Sequence, residues 1–370
     1  MMFTHYRSDF IQAFGELTQL PGMKRFCLYP YLYKRVVPVD RTGTITFPVR
    51  MKCLFPMPKM RVFTKTYEQV CNERARELLK RADTMDVPVY AFWSGGVDST
   101  CVLVSLLKNA TSAQKQRLVV LLSEGSITEY PLFYREHIRG KLPCLSAMLF
   151  PYICGTEALL VNGEHNDQLF GSDITAEAIN RFGSEAIMGE YDHKLFCSFF
   201  EEKLDGRGES EPAEIAAFYV DLFERLKEIA PIPIKSNYDM FWWINFSLKW
   251  QAVYIRVLAF TARRNASKLS PKYVKDFYAP FFNTEAFQLW SMNNLDMRIR
   301  DGGWRSYKWP AKELIYEYTK DMDYLNNKIK IGSLQYLFAQ HQQFNFMDDH
   351  FKVHDAVRPE EFYEERNDFI

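Results

Sequence analysis

From Thr66 onward the apolar positions fall into an alternating order of helical and strand-like runs. Thr66 with Gln69 reads as a capping box, in which the N-cap and N3 side chains each bond the other's backbone, and it opens a helix over 67–81. Asp86 and Pro88 end that helix. Val87 to Trp93 then forms a short apolar strand, and Ser99 to Lys108 has the length and composition of a helix. Leu118 to Leu122 and Ala158 to Val161 are two more all-apolar runs. Short strands apolar on both sides and spaced by helices mark a parallel sheet covered on both faces. The pattern therefore predicts an α/β chain with a parallel, doubly wound, Rossmann-like sheet. From Pro212 to about Phe338 the chain reads as mainly helical, with aromatic-rich stretches such as Asp239 to Arg264. Residues 1–65 read as a small strand-rich accessory segment, 66–235 as the α/β domain, 236–340 as a helical region and 341–370 as a tail.

Composition narrows the class. With 370 residues, 47% hydrophobic and 16% aromatic, the chain can bury a core, which excludes disorder. Lysine and arginine number 46 against 46 acidic residues, so the chain as a whole is no polyelectrolyte. The most apolar stretch, Met240 to Phe260, is interrupted by Lys249 and Arg256, short of a bilayer span. No apolar signal region opens the chain, and the seven cysteines are scattered without a Cys-x-x-Cys pair. Both features point to reduced thiols and a cytoplasmic protein, with no membrane partner. Charge is uneven all the same: residues 21–65 are strongly basic and residues from 348 onward mostly acidic. Basic residues interleaved with Tyr29, Tyr31, Tyr33 and Phe47 suit a nucleic acid or nucleotide. The plainer reading, a solvated module neutralised by the acidic tail, is the preferred one.

The most informative residues are Ser94, Gly95, Gly96, Val97, Asp98, Ser99 and Thr100, where the first strand ends and a helix begins. Ligands bind at the carboxyl ends of strands in such sheets. Two glycines permit positive φ and close approach of the backbone, and the first N–H groups of the helix favour an anion. Three hydroxyls add donors. A carboxylate at Asp98 repels phosphate unless a hard cation such as Mg²⁺ bridges the two.

The run is not the phosphate-binding loop that ends in Gly-Lys-Ser/Thr. It resembles the Ser-Gly-Gly-x-Asp-Ser signature of the N-type ATP pyrophosphatases, or PP-loop enzymes. The resemblance implies a HUP-type sheet, ATP and Mg²⁺ as cofactors, and cleavage of ATP between the α and β phosphates. A second run, Asn162-Gly163-Glu164-His165-Asn166-Asp167-Gln168-Leu169-Phe170-Gly171-Ser172, resembles the strand–loop of the synthetase domain of asparagine synthetase, Gly-Glu-Gly-x-Asp-Glu-Leu-Phe-Gly-Gly. By that resemblance Asp167 is a second metal ligand with Asp98. Asn162 and Gly163 lie along the nucleotide, with Leu121 or Leu122 flanking the adenine, and Glu164 is the acid–base residue beside an incoming amine. His165, Asn166, Gln168 and Ser172 depart from the pattern. A third region, Ala279-Pro280-Phe281-Phe282-Asn283, is similar to Pro-Phe-Leu-Asp of the same family, with Asn283 in place of the acid. Lys328-Ile329-Lys330-Ile331-Gly332 is similar to the family's lysine segment, which makes Lys330 the residue that stabilises negative charge; its plain alternative is a surface lysine at a helix end. Nothing before Thr66 shares the resemblance, and residue 2 is Met where the glutaminase nucleophile would be Cys.

The expectation is an ATP-dependent, AMP-forming carbon–nitrogen ligase that adenylates a carboxylate and transfers it to ammonia or an amine. A small carboxylic acid and an amine are then its partners, along with a separate ammonia donor where free ammonia is not used. One alternative is a PP-loop enzyme that adenylates a nucleobase or nucleic acid, supported by the basic amino-terminal segment. The other is a nucleotide-binding module without catalysis, in which Gln168 and Asn283 record lost chemistry. Retention of Asp98, Glu164 and Asp167 together weighs against the latter.

Overall fold

A computed structural model describes residues 2–6, 17–33, 37–171, 173–261, 265, 267–300, 302–328, 346–354 and 357–370. The chain forms two compact units, each assembled from separated stretches.

The unit made of residues 61–166 and 257–342 carries a five-stranded, all-parallel sheet and is α/β. Its strands are β1 (Val89–Phe92), β2 (Leu118–Leu122), β3 (Cys144–Ser146), β4 (Leu159–Asn162) and β5 (Tyr278–Pro280), arranged in the order β3-β2-β1-β4-β5. β1 sits at the centre, with Val89 opposite Leu118 on one side and Leu159 on the other. The direction of winding reverses at β1, so the crevice beyond its carboxyl end is the topological switch point where such sheets take ligands. Ala91, Val120, Leu160 and Val161 are fully buried, as strands covered on both faces require.

Local signals account for the helices around that crevice. The capping box at Thr66 forms as expected. Its hydroxyl accepts from the Gln69 amide, and the Gln69 side chain accepts from the Thr66 amide. The helix runs Tyr67–Met85, four residues beyond the expected end, and stops where Asp86 takes a left-handed conformation. Helix Val97–Asn109 packs against it and against helix Trp309–Thr319.

Two strands of this sheet were not expected from the sequence. β3 and β5 are three residues long, too short to show a period, and β5 is placed by pairing with β4 across more than a hundred residues of chain.

The other unit, residues 1–60, 167–256 and 343–370, is mostly helical. Phe3–Tyr6 pairs antiparallel with Phe346–Asp348, which pairs with Val353–His354. The rest of the described amino-terminal segment to residue 60 is turns and short helices over Leu17–Gln19, Met23–Phe26 and Tyr29–Leu32, not the strand-rich module expected. Its prolines, Pro21, Pro30, Pro38, Pro48, Pro56 and Pro58, explain this, since each lacks an N–H for a ladder. Helix Asn237–Leu248 is aromatic-rich and buried at every position but Asp239. Arg41 lies beneath the Phe246 and Trp250 rings and donates to the carbonyls of Phe55 and Phe246.

All seven cysteines are free thiols. Among the described residues no helix is long and apolar enough to cross a membrane.

Thr66→Ala removes one half of the capping box. It is expected to lower stability by about 1 kcal/mol, read as a lower urea midpoint with unchanged m-value.

A glycine loop between buried ion pairs

The chain leaves β1 at Trp93 and turns through Ser94-Gly95-Gly96 into helix Val97–Asn109. Gly95 has φ +78°, and a Cβ there would stand 2.6 Å from the Ser126 carbonyl oxygen and 2.9 Å from Glu129 Cβ. Only glycine fits both the dihedral and the space. Gly96 is the N-cap, and no side chain caps the helix start.

The loop is braced from within. The Ser94 amide donates to Ser99 Oγ at 2.9 Å, Ser99 Oγ donates to the Gly96 carbonyl at 3.2 Å, and the Trp93 indole donates to Thr100 Oγ1 at 3.1 Å. Ser99 and Thr100 are buried. Their hydroxyls thus shape the bend itself.

Asp98 sits in the first helical turn at the centre of a polar chain. Lys308 Nζ donates to both of its carboxylate oxygens at 2.7 Å, and Asn166 Nδ2 donates to one of them at 2.7 Å. Asn166 in turn accepts from the Tyr67 hydroxyl at 2.7 Å. The Asn166 departure noted in the sequence therefore has a structural use, since its amide orients Asp98. Lys308 reaches Asp98 from the N-cap of helix Trp309–Thr319, where it holds φ +61°. A left-handed non-glycine residue costs about 1–2 kcal/mol, so packing around it must hold it there.

A second ion pair closes the other side. Lys328 Nζ lies 2.9 Å from Glu129 Oε1, with only 6% and 2% of the two side chains exposed. Glu129 is the residue whose Cβ faces Gly95. Tyr324, stacked on Tyr130, donates its hydroxyl to the Gly95 carbonyl at 3.2 Å.

A third lysine stands near them. Lys312, buried on the helix that starts at Lys308, donates to the Arg305 carbonyl at 2.5 Å. Burial, with the charges of Lys308 and Lys328, brings its ammonium down to about 8 from 10.5. Lys308, Lys312 and Lys328 thus accompany a loop whose nearby carboxylates are Asp98 and Glu129, with Glu164 on the adjoining loop. The uncapped helix N-terminus adds positive polarity at the bend.

The loop after β4 lies against the same turn. A Cβ on Gly163 would meet Asp98 C and Ser99 N at 2.9 Å. Asn162 is buried, with its amide donating to the Tyr278 hydroxyl and its oxygen accepting from the Glu164 amide at 3.0 Å. Glu164 is half-buried beside them. His165 is buried at φ +79°, at the position where the asparagine synthetase pattern has its second glycine. Leu122 ends β2, paired with Ser146. The sheet unit thus brings together Ser94 to Thr100, Asn162, Gly163 and Glu164. Asp167 belongs to the other unit, where its carbonyl accepts from the Gly171 amide. Lys330 lies outside the described residues.

Lys308, Lys312, Lys328, Glu129 and Asn166 were not singled out as functional from the sequence. For Lys308 and Lys312 the available signal was a cluster of basic positions flanking Trp309-Pro310, more than two hundred residues from the glycines; Lys328 opened the run similar to the lysine segment, where Lys330 was the residue chosen.

Three residues of the basic amino-terminal segment pair with acids in their own unit. Arg25 pairs with Glu214, Arg50 with Glu364 and Lys52 with Asp349. No family model, curated protein or solved structure matches the chain.

Two substitutions test the geometry. Gly163→Ala forces the Asp98–Ser99 backbone to move and is expected to cost about 1–3 kcal/mol, seen as a lower denaturation midpoint. Lys312→Met removes a strained ammonium. Because Lys312 titrates at about 8 in the folded chain and near 10.5 unfolded, the unfolded state holds the proton more tightly and this group's penalty is relieved as pH rises through that window. The variant is expected to be more stable than the parent at pH 7 and to lose that part of the parent's gain in stability between about pH 8 and 10.5. Thermal melts across that range check it.

Proposed function

We propose that the chain is an ATP-dependent ligase that splits ATP into AMP and pyrophosphate and joins a carboxylic acid to ammonia or an amine. The observation that carries this reading is the uncapped start of helix Val97–Asn109 at the Gly95–Gly96 bend, with the ammonium groups of Lys308 and Lys328 held beside it. A ligand with several negative charges suits that place. The Ser-Gly-Gly-x-Asp-Ser run then favours a nucleotide's β and γ phosphates over a single phosphate.

In this reading Lys308 and Lys328 exchange their carboxylate partners for phosphate oxygens as the nucleotide enters. Lys312 regains its full charge beside them. Asp98 fits a hard cation, because both of its oxygens already converge on one ammonium. A magnesium ion bound there would neutralise charge on the phosphates.

A substrate carboxylate attacks the α-phosphorus in line, the α–β bridging bond breaks, and pyrophosphate leaves onto the loop. The acyl-adenylate is then attacked at its carbonyl by the amine. Glu164 takes the amine proton, held in place by the bond between its amide and Asn162. AMP departs with the bonding electrons. Lys330 stabilises the oxyanion, and Leu122 flanks the adenine. The nucleic-acid alternative rests on the basic segment, of which Arg25, Arg50 and Lys52 are already paired with acids.

Pyrophosphate release, screened over carboxylic acids and amines with ATP and Mg²⁺, tests the reading. Release with equimolar AMP is expected for at least one pair. Asp98→Ala is expected to lower it by about 100-fold or more, and Lys312→Met to weaken pyrophosphate inhibition by about 10–100-fold. Production of ADP in place of AMP would overturn the proposal, as would an Asp98→Ala enzyme that works as fast as the parent.

A further inference from the structure

The mostly helical unit contains a second chemical cluster, unrelated to the glycine loop. Helix His193–Asp205 and helix Pro212–Glu228 pack together as a hairpin joined by residues 206–211. His193 opens the first helix. Asp221 and Glu224 lie three residues apart on the second, and so share a face.

The ligand atoms of His193, Asp221 and Glu224 all lie within 4.8 Å of one another. His193 Nδ1 stands 3.0 Å from Glu224 Oε1. Cys197, one turn after His193, holds its Sγ 3.3 Å from the other ring nitrogen, Nε2. Tyr191 donates its hydroxyl to Glu224 Oε1 at 2.8 Å.

We propose that His193, Asp221 and Glu224 form a binding site for a divalent transition-metal ion of the zinc type, which clips the helical hairpin together. Four features carry it. One imidazole and two carboxylates make a donor set suited to Zn²⁺. Ligand atoms around a tetrahedral ion at about 2.0–2.2 Å stand roughly 3.3–3.5 Å apart, so side-chain rotation alone closes the present spacing. His193 has the partners that metal-bound histidines need on the second nitrogen. With Nδ1 on the ion the proton moves to Nε2, which donates to Cys197 Sγ. Finally, Asp192, Glu201, Asp221 and Glu224 all act electrostatically on Cys197, a field that favours a cation.

Lys227, whose ammonium stands over the Tyr191 ring and acts on Glu224, is the competing positive charge. It is held off by the ring at 4.2 Å from its centroid. His193 and Glu224 are 42% and 34% exposed at their side chains, so water can complete the shell and the ion can enter from solvent. Three protein ligands plus water is an open arrangement.

The experiment titrates the full chain, freed of metal by chelation and reduced, with ZnCl₂, followed by calorimetry and by thermal melting. One ion per chain is expected, with a higher melting temperature. His193→Ala is expected to weaken binding by about 100-fold or more, beyond the 10–100-fold that losing an outer partner costs, and to abolish the thermal shift. Asp221→Asn serves as a second variant that leaves the packing intact and is expected to do the same. Asp98→Asn, in the other unit, is expected to leave zinc binding unchanged. Absence of saturable binding, or binding that survives both His193→Ala and Asp221→Asn, would overturn the site.

Discussion

Gly95 turns left-handed against the Ser126 carbonyl, and the architecture of the sheet unit follows from that contact. A side chain at this point would overlap a backbone oxygen at 2.6 Å. The absence of one lets the segment after β2 lie directly on the bend after β1. Gly163 does the same from the β4 side, against Asp98 and Ser99. Three strand-end loops therefore converge with no side chain between them. The backbone of the bend is left facing the crevice at the switch point of the sheet, where helix polarity and strand order both direct an anion.

Such convergence would be costly if the charges around it were left alone. The structure resolves most of them in pairs. Asp98 takes Lys308, and Glu129 takes Lys328, each pair at least partly withdrawn from water. Buried pairs of this kind contribute little net stability, because desolvation offsets attraction. What they do is keep ammonium groups beside the loop in a fixed geometry. Lys312 donates instead to the Arg305 carbonyl, and its proton affinity is lowered first by burial and then by the charges of Lys308 and Lys328. A folded chain that tolerates this penalty holds a place where binding can repay it, the usual sign of a site kept for function over stability.

The local part of this arrangement was legible in the sequence and the distant part was not. Ser94 to Thr100 announce a bend because the signal, strand then glycines then helix, lies within a dozen residues. The Thr66–Gln69 cap and the run 118–122 were readable for the same reason. The α/β class followed from them. By contrast, Lys308 meets Asp98 across two hundred and ten residues, and no spacing rule reaches that far. β5 is placed by β4, and Phe3–Tyr6 by residues 346–348. His165 was visible as a departure from the resembled pattern, but the reason glycine belongs there, a φ of +79°, exists only in three dimensions.

The two clusters obey one electrostatic rule with opposite signs. Around the glycine loop, burial first and then the charges of Lys308 and Lys328 bring the Lys312 ammonium down to about 8. In the helical hairpin, burial first and then the charges of Asp221, Glu224, Glu201 and Asp192 push the Cys197 thiol up. In each case like charges are held together by covalent and packing constraints that were not built to relieve them. A polyanion answers the first and a divalent cation the second. Because the clusters belong to separate compact units, each can be emptied by substitution and judged on its own.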